Sequence, residues 1–494
     1  MRGNAVTNVV LAAWVVCAGV LGAVVAASAQ ENQTVPGAVS TPPPPSAPRT
    51  VQYPTPVATT LPNGLRVIAV RVPGSALVAA DLTVPAGSAS DPDAMPGVAN
   101  LTASLLTRGT AKRSAKEIGF TLDALGATLD ARTGNDRTDV ATDAVAARFP
   151  AALALLAEAV RQPAFAPAEL TLAKQRATSS ITLQSGSPSM LANLVAQRVL
   201  FTGAFARPVT GTARSITAID RDAVVAFHRA RYRPDGAILT IGGDLAAADA
   251  FALAQTAFGD WSAPAAAAAT PAPAVQAPPR IVVVDQPAAG RTAVVVARVA
   301  PLRTSADWAA AMVANSVLSG YSGRLNEEIR VKRGLSYGAN SAYVTGRYAG
   351  SIVASTLVEH AKAPDALDIL LGTISSLGGS APAGAAEVLV RRTSLLGGMA
   401  NGIETIGGLV RNVAANAFAG LPLDALGTAP AALSAVEPAA VTRFASAAFA
   451  GPPAIVLVGD ASKFIDAVRK AHPDVLVVKA TDLDLTSPTL TRVP

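Results

Sequence analysis

Cysteine is all but absent from this chain. The only one, Cys17, sits inside an N-terminal apolar run, so a mature chain cut after that run carries no thiol. Disulfides and cysteine metal sites are thereby excluded. Histidine is nearly as scarce. His228, His360 and His472 are the only three, and none has a second histidine or a carboxylate at the helical spacing a zinc pair requires. Aromatic residues make up 4% of the chain, so the 50% hydrophobic content is carried largely by alanine and valine. Concentrated positive charge is missing too. The formal charge is +6, but the basic residues are scattered and no Lys/Arg-rich run appears, so nucleic-acid binding is not inferred. Long apolar runs are limited to one, at residues 9–27, which leaves no candidate membrane span elsewhere.

That run follows Arg2 and is followed by Ala27, Ser28 and Ala29. A basic start, an apolar stretch and a small-x-small site predict a signal peptide over 1–29, with cleavage after Ala29 and a periplasmic or secreted product. The run is long for this purpose, and an uncleaved anchor is the alternative. Val16 precedes Cys17 where a lipoprotein signal carries a small residue, so lipidation is not expected. Residues 30–57, with Pro42 to Pro45 in a row, read as an extended tether.

A length of 494 residues predicts at least two domains. Two antiparallel strands are expected at 65–72 and 76–84, separated by a turn at Pro73 and Gly74. Helices follow at 97–106 and from Ser114, where Glu117 completes a capping box. Alternating segments, a run of helices including 168–184 and 189–200, and a short strand at 237–241 complete a first domain, 58–262. Residues 263–279 are almost only Ala and Pro and read as a linker. The order then begins again over 280–480, with 481–494 as a tail. Val98-Ala99-Asn100 matches Val313-Ala314-Asn315, Leu239 to Asp244 matches Val456 to Asp460, and Ile219 to Phe227 matches Val436 to Phe444. The common offset, about 215 to 217 residues, predicts a tandem duplication of one α+β unit.

One stretch of the second domain combines the most polar chemistry. Arg324 to Arg333 reads as a helix, with Leu325 and Ile329 on its apolar side and Gly334 as its stop. Arg330 and, seven residues on, Tyr337 lie on either side of that helix end. A serine nucleophile is a tempting reading, because Gly334, Ser336 and Gly338 fit G-x-S-x-G. The motif needs a strand before it and a helix after it, and here the order is inverted. Glycine pairs such as Gly397-Gly398 and Gly407-Gly408 lack the Lys-Ser/Thr of a phosphate loop. On spacing alone Arg330 is a helix-end cation and Tyr337 a packed strand residue.

Several segments together resemble the insulysin/pitrilysin-type (inverzincin) metallopeptidases. They are Pro62-Asn63-Gly64-Leu65, the run Gly97 to Thr110, Arg231-Tyr232-Arg233-Pro234 with Gly242-Gly243-Asp244, and Arg324-Leu325 leading to Gly334-Leu335-Ser336-Tyr337. The resemblance covers about residues 58 to 475. It implies an α+β fold with two similar domains, each an antiparallel-rich sheet covered by helices on one face, together forming half of a clamshell.

The family signature H-x-x-E-H falls on Asn100, Ala103 and Ser104, so both histidines and the catalytic glutamate are replaced. The third zinc ligand belongs in the helix at 168–184, yet no Asp or Glu occurs between Glu169 and Asp220. This chain is therefore expected to bind no zinc or other cofactor. The family's second signature, an arginine and a tyrosine seven apart, maps by resemblance to Arg330 and Tyr337. In small bacterial and mitochondrial members, including the mitochondrial processing peptidase subunits, one chain carries zinc and its homologue carries this pair. The resemblance thus implies a non-zinc subunit of a heterodimeric peptidase, inactive alone. Arg330 and Tyr337 would serve peptide hydrolysis in trans, with zinc in an H-x-x-E-H-containing partner. The alternative is an inert binding or scaffold protein of the same fold.

Overall fold

The computed structural model describes residues 51–262, 277–278 and 280–491. The predicted signal run with Cys17, tether residues 30–50 and most of the Ala/Pro linker lie outside the described residues. Among the described residues, no helix is long and apolar enough to cross a membrane.

Twelve strands form two six-stranded sheets. The first contains β1 (Val57–Thr60), β2 (Arg66–Arg71), β3 (Leu77–Val84), β4 (Thr128–Thr133), β5 (Thr138–Val145) and β6 (Ile238–Gly243). The second contains β7 (Ile281–Asp285), β8 (Thr292–Val299), β9 (Ala339–Thr345), β10 (Gly350–Val358), β11 (Ala454–Gly459) and β12 (Leu476–Lys479). Their orders are β1-β2-β6-β3-β5-β4 and β12-β7-β11-β8-β10-β9. Five strands correspond one to one, which is the duplication expressed as topology. The sixth differs: β1 runs antiparallel to β2, whereas β12 comes from the chain's end and runs parallel to β7.

Two expectations are corrected. The strands at 65–72 and 76–84 do not pair with each other. β6 lies between them, parallel to β2 and antiparallel to β3. Local alternation shows that a strand exists, but its partner is set by burial of both faces. The tether also ends sooner than expected, because β1 takes up Val57 and Tyr53 packs against Ile68 and Phe418.

Side-chain alternation along each strand sends residues to two different cores. In β2 and β3, Val67, Ala69, Ala80 and Leu82 face helices of the first half, among them α1 (Val98–Leu106) and α2 (Pro167–Gly186). Ile68 and Val70 face the opposite way, onto Leu409, Val413 and Phe418 of a helix from the second half. The second half mirrors this. Val282, Val284, Val295 and Val456 are covered by Leu191, Val195 and Val199 of α3 (Pro188–Leu200), a helix of the first half. Each half thus lends one helix to the back of the other's sheet. The described tail joins this layer: Leu490 is fully buried, and Arg198 Nε donates to Ser487 O at 3.1 Å.

The lent helix of the second half, α4 (Ile406–Phe418), covers one polar spot. Asp81, 1% exposed, shares the Thr83 hydroxyl with Asp139, at 3.1 and 2.9 Å. Burial first, and the Asp139 charge second, push the Asp81 carboxyl up to about 7, against the pull of Thr83, Arg137 and Arg411. The folded state therefore holds this proton more tightly than the unfolded chain. The stabilisation is complete below the unfolded value and is lost as pH rises through the folded one. Asp81→Asn is expected to narrow the fall in unfolding free energy between about pH 5 and about pH 8 by roughly 2–3 kcal/mol. Chemical denaturation at the two pH values checks this; an unchanged difference excludes Asp81 as the source.

Candidate functional site

Two places were marked by the sequence, and they have different fates. Asn100, Ala103 and Ser104 lie on α1, which packs against α2. Asn100 is half-buried, Ala103 is buried, and Ser104 is exposed and donates to Leu101 O at 2.8 Å. In α2 the only carboxylate is Glu169, in the first turn. An alanine methyl and a hydroxyl bonded to its own helix cannot replace imidazoles and a base. Among the described residues, no group of three or more His, Cys, Asp or Glu side chains is placed to hold a metal. The residues at these positions do not fit a zinc ion. The three histidines are structural or peripheral. His228 stacks on Tyr232 at 4.7 Å and donates through Nε2 to Val160 O, and its burial lowers its pKa. His360 bonds Thr292 and Ala289.

At the second place Arg330 and Tyr337 come together. The helix expected over 325–333 is an α turn, Arg324–Asn326, that opens into a π-helix, Glu327–Val331. Lys332 N reaches Glu327 O, and Leu335 N reaches Ile329 O, one residue further back than in a standard glycine-stopped helix. Leu325 and Ile329 are fully buried and anchor the turn. Gly334 has φ +60°, the left-handed conformation that ends it. Single π turns are frequent at functional sites. This one turns the chain so that Arg330 Cζ lies 5.0 Å from the Tyr337 ring centroid.

The surrounding charges are already paired. Arg324 holds Glu387 at 2.6 Å. Glu328 takes both Lys332 and Arg333, and those two bonds keep its carboxyl below the usual glutamate range. Among the described residues no carboxylate forms an ion pair with Arg330. Its neighbours are two aromatic faces, Tyr337 and, at 5.3 Å, Tyr321. Those tyrosines are 86% and 79% exposed. A guanidinium lying against rings keeps its edge donors free, and the Tyr337 hydroxyl is free in the same place. The site can therefore donate several hydrogen bonds to one bound oxygen or to adjacent ones. Ser336 is not part of it: its hydroxyl bonds Leu357 O at 2.7 Å and accepts from Gly338 N, and no histidine contacts it.

The sequence did not mark Tyr321, Asn326, Asn340 or Arg391. Asn326, 3% exposed, donates to Tyr321 O at 2.7 Å and accepts from Ala339 N, so it ties the two tyrosine-bearing segments together. A polar residue on the buried side of the helix, one position after Leu325, was the available signal. A cleft of about 430 Å³ opens beside the site, lined by Tyr321, Asn326, Gly338, Asn340, Ser355 and, from the first half, Ser189.

Comparison with known proteins agrees with this architecture. Residues 66–212 match the family described as Insulinase (Peptidase family M16), and residues 218–384 match the Peptidase M16 inactive domain. The second match covers the segment that carries Arg330 and Tyr337, and the first covers Asn100, Ala103 and Ser104. An uncharacterized zinc protease of Mycobacterium leprae is 25% identical over 350 residues, 70% of this chain and 78% of that protein. Another from Mycobacterium tuberculosis H37Rv is 27% identical over 357 residues, 71% and 80%. The crystal structure of a peptidase M16 inactive domain from Pseudomonas fluorescens superposes with TM-score 0.74 at 24% identity, covering 82% of this chain and 97% of that one. A Helicobacter pylori protease superposes with TM-score 0.74 at 18% identity, covering 83% and 100%. These two likenesses show the fold. With two consecutive matches that together run from residue 66 to 384 and the duplicated six-stranded sheets, the chain belongs to the insulinase (peptidase M16) family.

Proposed function

We propose that this chain is the non-zinc subunit of a two-chain peptidase and supplies Arg330 and Tyr337 to a site completed by a zinc-bearing homologue. The observation that carries the reading is a contrast within one molecule. The metal positions hold Asn100, Ala103 and Ser104, while a half-buried Arg330 and an exposed Tyr337 are assembled without a carboxylate partner among the described residues. Donors kept unpaired at a surface, on a turn braced by buried Leu325 and Ile329, suit a ligand that comes from outside.

Hydrolysis of a peptide bond builds negative charge on the carbonyl oxygen. The Tyr337 hydroxyl donates to that oxygen as the charge develops. The Arg330 guanidinium holds a neighbouring backbone carbonyl or carboxylate and fixes the peptide's register. Activation of water and the metal itself belong to the partner, and this chain contributes nothing to either. The apolar N-terminal run with its small-x-small site supports export, so the pair would act in the periplasm or outside the cell.

The purified chain is expected to be inert towards peptides by itself, and its mixture with an H-x-x-E-H-containing homologue active and chelator-sensitive. Peptide cleavage by the lone chain, abolished by chelator, would sink the reading. An inactive mixture under conditions where both chains are folded and bound favours a scaffold instead.

A further inference from the structure

We propose that Tyr321 is a positioning residue that holds the Arg330 guanidinium between two rings, ready for a peptide oxygen. The inference rests on the proposed function for its catalytic consequence, and on geometry alone for the stack itself. Arg330 Cζ lies 5.3 Å from the Tyr321 ring centroid and 5.0 Å from that of Tyr337. A half-buried arginine held on one side only still samples several rotamers; a second ring removes most of them.

The loop that carries Tyr321 is fastened along its length. Ser319 Oγ and Gly320 N both donate to Asn340 Oδ1, at 2.6 and 3.1 Å. Tyr321 O accepts from the buried Asn326. Ser322 O and Oγ accept from Arg391, itself 9% exposed, at 2.5 and 3.1 Å. Arg324 closes the loop on Glu387. Every backbone anchor is satisfied, yet the tyrosine side chain points out with 79% of its surface in water. A large aromatic on a rigid backbone, doing no packing for the core, is where binding residues concentrate. Here the face is already used, against Arg330. Restricting the guanidinium before the ligand arrives lowers the ordering cost of binding and keeps its edge donors aimed one way.

The test uses the full chain, with selective ¹⁵N labelling of arginine and with activity measured in the reconstituted pair. Ring currents from two tyrosines displace the Arg330 Nε–H signal. Tyr321→Ala is expected to return it towards the position of a free arginine and to lower kcat/KM of the pair roughly fivefold, the scale of one exposed cation–π contact. Tyr321→Phe keeps the ring, so both signal and activity are expected within about twofold of the parent. An Nε–H signal unmoved by Tyr321→Ala, or a Tyr321→Phe chain as impaired as the alanine variant, overturns the inference. If Arg330→Ala leaves turnover intact, the two-chain reading fails by itself, and the Nε–H signal still decides whether Tyr321 holds Arg330.

Discussion

In the reconstituted pair, Tyr337→Phe is expected to lower kcat about 10²- to 10³-fold, the usual loss when one donor to a developing oxyanion is removed, and Arg330→Ala, which frees the peptide's register, to lower kcat/KM on a similar scale. The two need not divide the loss alike. A tyrosine that meets the oxygen only as charge builds lowers kcat and kcat/KM together when it becomes phenylalanine. An arginine that also grips the substrate's ground state raises KM as well. Because the residues touch, the double variant is expected to lose less than the product of the two single losses. Folding is not the confounder here. Tyr337 is 86% exposed and Arg330 has no ion pair among the described residues, so both variants are expected to melt within a few degrees of the parent. Steady-state kinetics on the pair, beside thermal melts of each chain, give the answer. A double variant turning over at the parent's rate would show that these donors serve no reaction and would leave the fold as a scaffold.

What could be read before the structure was local chemistry. Leu325 and Ile329, four apart, announced a buried helix side, and Gly334 announced its end; both hold. That Asn100, Ala103 and Ser104 supply no imidazole or carboxylate is plain in the sequence, because ligand chemistry depends on residue type. The π turn was not legible. Glu327 to Val331 are ordinary helix formers, and the wider turn is set by Leu335 closing on Ile329. Tyr321 was hidden for a similar reason. It sits in a short loop with no periodic pattern, and its approach to Arg330 depends on bonds from Asn326, Asn340 and Arg391, up to 70 positions away. The strand order escaped too, because β6 enters between β2 and β3 from more than 150 residues downstream. One signal of the second cover is present in the sequence. Ile281 to Val284 and Val294 to Val296 are unbroken apolar runs, which mark strands covered on both faces rather than one.

That double cover leads to the other large effect. Val195 belongs to the first half by sequence but is fully buried against Val295 and Val456 of the second half's sheet. Val413 does the reverse, covering Ile68 and Val70. Neither sheet has a complete core from its own half, so the halves are expected to unfold together. Val195→Asp puts an unpaired carboxylate into an apolar layer and is expected to cost about 3–5 kcal/mol. The loss should reach both halves. Limited proteolysis of the full-length variant is expected to open cleavage sites in the second half as early as in the first. Calorimetry of the parent is expected to give one transition whose calorimetric and van't Hoff enthalpies agree. Two resolved transitions, with Val195→Asp lowering only the first, would mean that the exchanged helices pack without coupling. Coupling matters for the site as well as for stability. Ser189, at the start of the lent helix, lines the cleft beside Tyr321, so the half that carries Asn100, Ala103 and Ser104 also builds part of the wall next to that tyrosine. The second half's sheet and cleft are incomplete without the first half, which is a physical reason for the two halves to stay in one chain.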